Sequence, residues 1–181
     1  MNIFYLDRDP VKAAQYHSDK HVVKMILESA QLLSTAHRVL DGQEVVQLNA
    51  AGARMKRYIL NDEREQELYK STHVNHPSAI WVRESAANYN WLVDMLKALM
   101  EEYTYRYGKH HATERLLPYL EKTPNNIKVG VDFTQPTPAM DSVFTISDDG
   151  VANYRNYYTL AKSELHAYTK REWPTWLRKV E

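Results

Sequence analysis

The chain has 181 residues, no cysteine, and 23 basic against 23 acidic side chains. That length fits one domain. Such a domain buries roughly 70% of the unfolded chain's surface, so folding needs no disulfide or structural metal. The missing cysteines exclude disulfide scaffolds, Cys-ligated zinc, iron–sulfur clusters and thiol catalysis, and they suit a reducing cytosol. The zero net charge removes the overall basic signature of a nucleic-acid binder and leaves only a local patch open.

Met1 to Pro10 holds no basic segment followed by an apolar run, so a signal peptide is not expected. No stretch approaches the length of a membrane span. Asn2 to Leu6 is a short apolar run, either a strand or an extended arm on the core. Asp9-Pro10 predicts an N-cap followed by Pro at the first helical position. Up to Leu40 the chain then lacks Gly and Pro. Val22, Ile26, Ala30, Leu33 and Leu40 recur at helical spacing, with Val23 and Leu27 widening the stripe. Ser18 or Asp19 is a second cap, giving one long helix or two, and Gly42 after Asp41 is expected as a left-handed stop.

Residues 43–70 are weakly patterned, with Ala50 to Glu67 helix-permissive. After a turn at His73 to Pro77, Ser78 is expected to cap a helix running to Tyr107. Its stripe is Trp81, Ala87, Trp91, Met95, Leu99 and Tyr103. His111 to Glu121 reads as a short helix broken near Pro118. Thr123 to Ser147, with Pro124, Pro136, Pro138 and Gly130, reads as a long irregular loop. Gly150 precedes a last helix extending to Lys170, with Val151, Tyr154, Tyr158, Ala161, Leu165 and Tyr168 on one face. The tail from Trp173 to Lys179 is aromatic and basic. The expected fold is a single all-α domain: a bundle of three or more long helices with an extended N-terminal arm and an irregular loop at about 123–149.

Several groups of residues could carry chemistry. His17, His21, Lys24 and Glu28 follow each other at four-residue steps, so they share one helix face. They read either as a solvated face or as a site in which Glu28 handles protons and the basic groups hold an anion. Burial beside Ile26 and Leu27 would raise the Glu28 carboxyl toward a useful range. His17 and His21 also have metal-ligand spacing, and His73 and His76 add two imidazoles, but no HExxH motif is present. With five glycines there is no GxGxxG, Walker A or Gly-flanked Ser nucleophile. The chain has 13 Tyr and 4 Trp against 3 Phe. Tyr103 to Tyr107, Tyr154 to Tyr158 and Trp173 to Lys179 interleave aromatics with cations. They read either as helix-end packing or as base stacking with phosphate contact.

The order of these pieces resembles the pyrimidine-dimer DNA glycosylase family. Asp19-Lys20-His21 leads to Glu28, nine residues after the Asp, as in that family. Asn75-His76-Pro77 is followed by Trp81 and the helix ending Glu101-Glu102-Tyr103, and Pro174-Thr175-Trp176 is similar to the family's aromatic DNA-contacting end. The resemblance implies base flipping, then attack of the N-terminal α-amine on the sugar C1′, with Glu28 assisting ring opening and β-elimination. It implies no metal and no cofactor. Its partner is duplex DNA with a damaged or modified base. The amine would belong to Met1, or to Asn2 if Met1 is removed. Lys20, His21, Lys24, His76, Arg83 and His17 would line or support the pocket, and Trp173, Trp176, Arg178 and Lys179 would touch DNA. Leu27 and Gln31 stand where the family's phage member carries arginines. The expected function is a DNA glycosylase with AP-lyase activity in the cytoplasm. A non-catalytic helical binding module and a His-ligated metal enzyme are the alternatives.

Overall fold

A computed structural model describes residues 1–177. The fold is mostly helical, with one small hairpin. In chain order it comprises α1 (Pro10–Gln15), α2 (Asp19–Asp41), β1 (Gln43–Leu48), β2 (Arg54–Ile59), α3 (Arg64–Glu67), α4 (Pro77–Glu84), α5 (Ala86–Tyr107), α6 (Leu117–Leu120) and α7 (Gly150–Ala161). Among the described residues, no helix is long and apolar enough to cross a membrane.

The core lies where α2 and α5 pack together, with α1 and α4 on their flanks. Val22, Met25, Ile26, Leu32 and Leu33 of α2 meet Tyr89, Leu92, Met95, Leu96 and Leu99 of α5, all fully buried. Ahead of α1 the N-terminal segment is an extended arm: Ile3, Phe4, Tyr5 and Leu6 are buried without regular structure. Asp9 caps α1 by accepting from Val11 N and Lys12 N, as its sequence predicts.

The hairpin β1–β2 is the departure from an all-α fold, in a stretch whose latter part reads as helix-permissive. Val45-Val46 and Arg57-Tyr58-Ile59 carry strand preference, and Asn49 closes the turn by accepting from Ala51 N and Ala53 N, with Gly52 at φ 77°. The helix expected over 78–107 is two helices. α4 starts one residue earlier, capped by His76, and Ser85 then breaks the run and caps α5 by accepting from Asn88 N. The last helix ends at Ala161, not near Lys170.

Gly42 ends α2 in an extended conformation (φ −89°), not the left-handed one expected. Glycine is needed there because a Cβ would lie 2.4 Å from Arg38 O. The long loop is fastened at several points. Asp41 accepts from Asn125 N and Asn126 N, Trp81 Nε1 donates to Thr134 O, and Gln135 Oε1 accepts from Gly150 N.

Two buried arginines organise polar groups within this core. Arg38 donates to Tyr69 O, Tyr58 O, Leu68 O and the Glu65 carboxylate. Arg106 donates to Gln15 O, His17 O, Asp19 Oδ1 and Glu102 Oε2. The Tyr103–Tyr107 cluster is therefore no cationic surface at Arg106: its guanidinium ties the α1–α2 junction to α5.

Candidate active site

The arm and α2 meet at Glu28. Its side chain is 13% exposed, and three nitrogens converge on it. Asn2 N donates to Glu28 Oε2 at 3.0 Å. The Met1 α-amine stands 3.9 Å from the same oxygen, and Lys24 Nζ lies 3.4 Å from Oε1. The Met1 side chain is 3% exposed and packs against the core, so the first residue is part of the fold.

Asn2 explains how the arm holds its shape. Its Oδ1 accepts from Ile3 N at 2.7 Å and Phe4 N at 3.2 Å, while Nδ2 donates to Ala139 O at 2.9 Å. Phe4 takes φ 55°, a left-handed conformation that is strained for a bulky residue. The Asn2 side chain thus clamps both the strained turn and the 139 segment of the long loop. The large residue at position 2 has a structural job.

His76 borders the same point. Burial holds its imidazole below the usual value, with the nearby N-terminal amine pushing the same way. Its Nδ1 accepts from Ser78 N at 3.1 Å, which leaves Nε2 to carry the proton of the neutral ring. Arg83 supports this turn by donating to Val74 O and Ala79 O.

His17 and His21 do not lie on a solvated row with Lys24. Both are buried. His17 Nδ1 donates to Ala13 O, and His21 Nδ1 lies 2.8 Å from Tyr158 Oη, which also accepts from Ser18 N. Burial pushes His17 down to about 4 and His21 to about 3, so both rings are neutral near pH 7. The α2 surface instead exposes Lys20 and Lys24 with Val23 and Leu27, which do not widen the core stripe. The arm explains the buried face: Phe4 covers the two histidines, while Val23 and Leu27 stay about 40% exposed. Among the described residues, no three His, Asp or Glu side chains come together as a metal site.

Trp176, expected to touch DNA, is half-buried. It packs edge-on against Tyr16 and Tyr158 under the Arg155 guanidinium. Trp173 is 38% exposed and sits against His166 and Tyr168. Arg178 and Lys179 lie outside the described residues.

A family model described as pyrimidine dimer DNA glycosylase matches residues 1–115. The chain belongs to that family. No curated protein and no solved structure matches it. Family membership points to DNA-glycosylase-type repair chemistry. The matched segment of this pyrimidine dimer DNA glycosylase relative contains Met1, Asn2, Lys24, Glu28 and His76, all the groups gathered at the arm. A cleft of about 460 Å³ between α5 and the 110–117 segment contains none of them.

The Tyr154–Tyr158 cluster, marked in the sequence, meets the arm and is joined by Phe144 and Lys162, which the sequence did not mark. Phe4 stacks on His21 (4.5 Å between centroids, 26° between planes) and, nearly parallel, on Tyr157 (6.1 Å, 8°). Phe144 lies 5.0 Å from Tyr157, and Lys162 Nζ sits 5.1 Å above the Tyr157 ring. Tyr157, three residues after Tyr154, lies at the edge of the buried face of α7 and is half-buried.

Proposed function

We propose that this protein is a DNA glycosylase with AP-lyase activity that uses its N-terminal α-amine as nucleophile and Glu28 as the proton-handling group. The observation that carries this reading is the convergence of the Met1 amine and Asn2 N on one Glu28 oxygen. Met1 is taken as the first residue because its side chain is packed and because Asn is too large a neighbour for efficient Met removal. Were Met1 removed, the Asn2 nitrogen would still lie beside Glu28.

The neutral amine attacks C1′ of the flipped nucleotide. The N–C1′ bond forms, and the glycosidic bond breaks with its electron pair going to the base. The amine proton reaches the departing base by way of Glu28. Glu28, reprotonated from solvent, then donates to O4′, which opens the sugar and leaves an iminium at C1′. The Glu28 carboxylate then removes a C2′ proton, and the 3′ phosphate departs by β-elimination. Hydrolysis of the imine returns the free amine.

The other groups bind and position. Lys24 and exposed Lys20 offer phosphate contacts beside the carboxylate. His76 presents a neutral N–H donor, and Arg83 holds the turn that carries it. Through Asn2, Ile3 to Phe4 holds the amine in place. His17 and His21 act from beneath, as the packed floor under Phe4.

The test is borohydride trapping. Protein is incubated with duplex DNA carrying a pyrimidine dimer, an abasic site or a modified base, then reduced. The expected result is a covalent protein–DNA band that mass spectrometry maps to residue 1. No band on any substrate, with DNA binding retained, overturns the chemistry in favour of a binding module.

A further inference from the structure

We infer that the β1–β2 hairpin is a second DNA contact: a basic ribbon that grips the duplex to one side of the attacked nucleotide and takes no part in the chemistry. The inference rests on the reading that duplex DNA docks with its reacting sugar at Met1 and Glu28. The hairpin joins the fold on the His76 side of that point. Arg57 Nη1 donates to Ser71 O at 3.4 Å, and the chain then runs through Val74, held by Arg83, to His76 beside the N-terminal amine. Ser71 to His76 spans at most ~18 Å of chain. The hairpin therefore stands within about one helical turn of duplex, ~34 Å, from the carboxylate.

The register divides the hairpin into two faces. Val45, Met55, Arg57 and Ile59 are half-buried on the face toward the body. Val46, Leu48, Arg54 and Lys56 are exposed on the other, with Val46 directly opposite Lys56 and Leu48 opposite Arg54. From Gln43 to Ile59 the sequence carries three bases and one acid, Glu44, in a chain that is neutral overall. Lys56 Nζ lies 2.8 Å from Glu44 Oε1, which offsets that acid and leaves Lys56 further N–H donors. Arg54 enters no ion pair among the described residues. Val46 and Leu48 are 58% and 68% exposed. Bare aliphatics beside available cations match a surface that is apolar and anionic by turns, as deoxyribose and thymine methyls are between phosphates. The major groove also admits a two-stranded ribbon, and both strands are edges whose outward N–H groups add phosphate donors.

The experiment compares wild type with Arg54→Gln, Lys56→Gln, the two combined, and Val46→Ser with Leu48→Ser. All four positions are on the exposed face, so the fold is kept, which melting curves check. Fluorescence anisotropy follows binding over a salt series, to a dimer-containing duplex of more than two helical turns and to the same duplex undamaged. Each single charge change is expected to make the plot of log affinity against log salt shallower by about 1, and the combined change by about 2, on both duplexes alike. The cleavage rate at saturating protein should stay within about twofold of wild type. The paired Val46 and Leu48 variant should bind more weakly with an unchanged slope.

An unchanged slope in the combined charge variant, or a saturated cleavage rate that falls along with binding, overturns the inference. So does a wild type that sediments as a dimer which the Val46 and Leu48 variant breaks apart, since the face then belongs to a second copy of this chain. Trapping of wild type in parallel separates the hairpin from the reaction itself. A wild type that traps, with slopes unchanged in the variants, removes the hairpin contact and keeps the enzyme. A wild type that does not trap, with slopes that fall as expected, keeps the hairpin contact and removes the enzyme.

Discussion

Asn2 donates its backbone N–H to Glu28 Oε2 at 3.0 Å, across 26 residues of sequence. This bond seats the N-terminal arm on α2 and brings the α-amine to the carboxylate. It makes Glu28 a partner that is lost in function before it is lost in folding. Glu28→Gln keeps a carbonyl oxygen for the Asn2 N–H but removes the proton-transfer group. Single-turnover cleavage should fall by at least about 100-fold, with the thermal midpoint nearly unchanged. A large drop in the midpoint with cleavage preserved would make Glu28 a structural residue.

The position of the amine gives a second expectation. One extra residue ahead of Met1 converts the amine into an amide and pushes the new terminus away from Glu28. Covalent trapping should be lost while DNA binding, measured by anisotropy, stays within a few-fold. Trapping that persists at another residue would reassign the nucleophile.

Asn2→Ala removes acceptors for Ile3 N and Phe4 N and the donor to Ala139 O. Leaving buried N–H groups unpaired costs about 1–3 kcal/mol, which urea unfolding would measure. Activity should fall further than stability alone accounts for, because the arm carries the amine.

Arg106 is the internal tie of the α1–α2 junction. Replacing it with Leu leaves Glu102 with one partner, Arg171, and strips the bonds to Gln15 O and His17 O. Breaking a buried charge network by removing one partner costs about 3–5 kcal/mol. Denaturant unfolding should show a loss of that size. A loss within about 1 kcal/mol would mean that Arg171 and solvent compensate.

The buried histidines set the acid limit of stability. His17 drops from 6.5 to about 4 on folding, chiefly by desolvation, and His37 does likewise. Above pH 6.5 these rings are neutral in both states and cost nothing. Below it the unfolded chain binds protons that the folded chain refuses, so stability falls as the pH drops from 6.5 toward 4. His17 alone accounts for roughly 3 kcal/mol over that window. Melting curves between pH 7 and 4 should show this slope, and His17→Asn should flatten it. A midpoint independent of pH across that range would contradict the burial of these rings in neutral form.

Much of the scaffold was legible in the amino-acid sequence. Pro after Asp9, the α2 stripe and the α5 stripe fix three helices, because cap chemistry and apolar spacing act over a turn or two of chain. The proline-rich stretch after Thr123 was likewise readable as irregular. The hairpin was not, since strand pairing between Val45 and Arg57 is a contact that no local period announces. Glu28 was marked as a site candidate by its four-residue row as well as by motif order, and Met1 and Asn2 by the family resemblance alone.

Tertiary structure decided which face of α2 is inside. His17 and His21 share a four-residue row with Lys24 and Glu28, and helical spacing alone treats all four alike. Phe4 packs over the two histidines and buries them, so the row splits into a neutral floor and an open site. The same packing left Val23 and Leu27 exposed. Local sequence sets helix, cap and stripe; the long-range contacts of the arm and of α7 set which polar groups are desolvated, and desolvation determines what those groups can do.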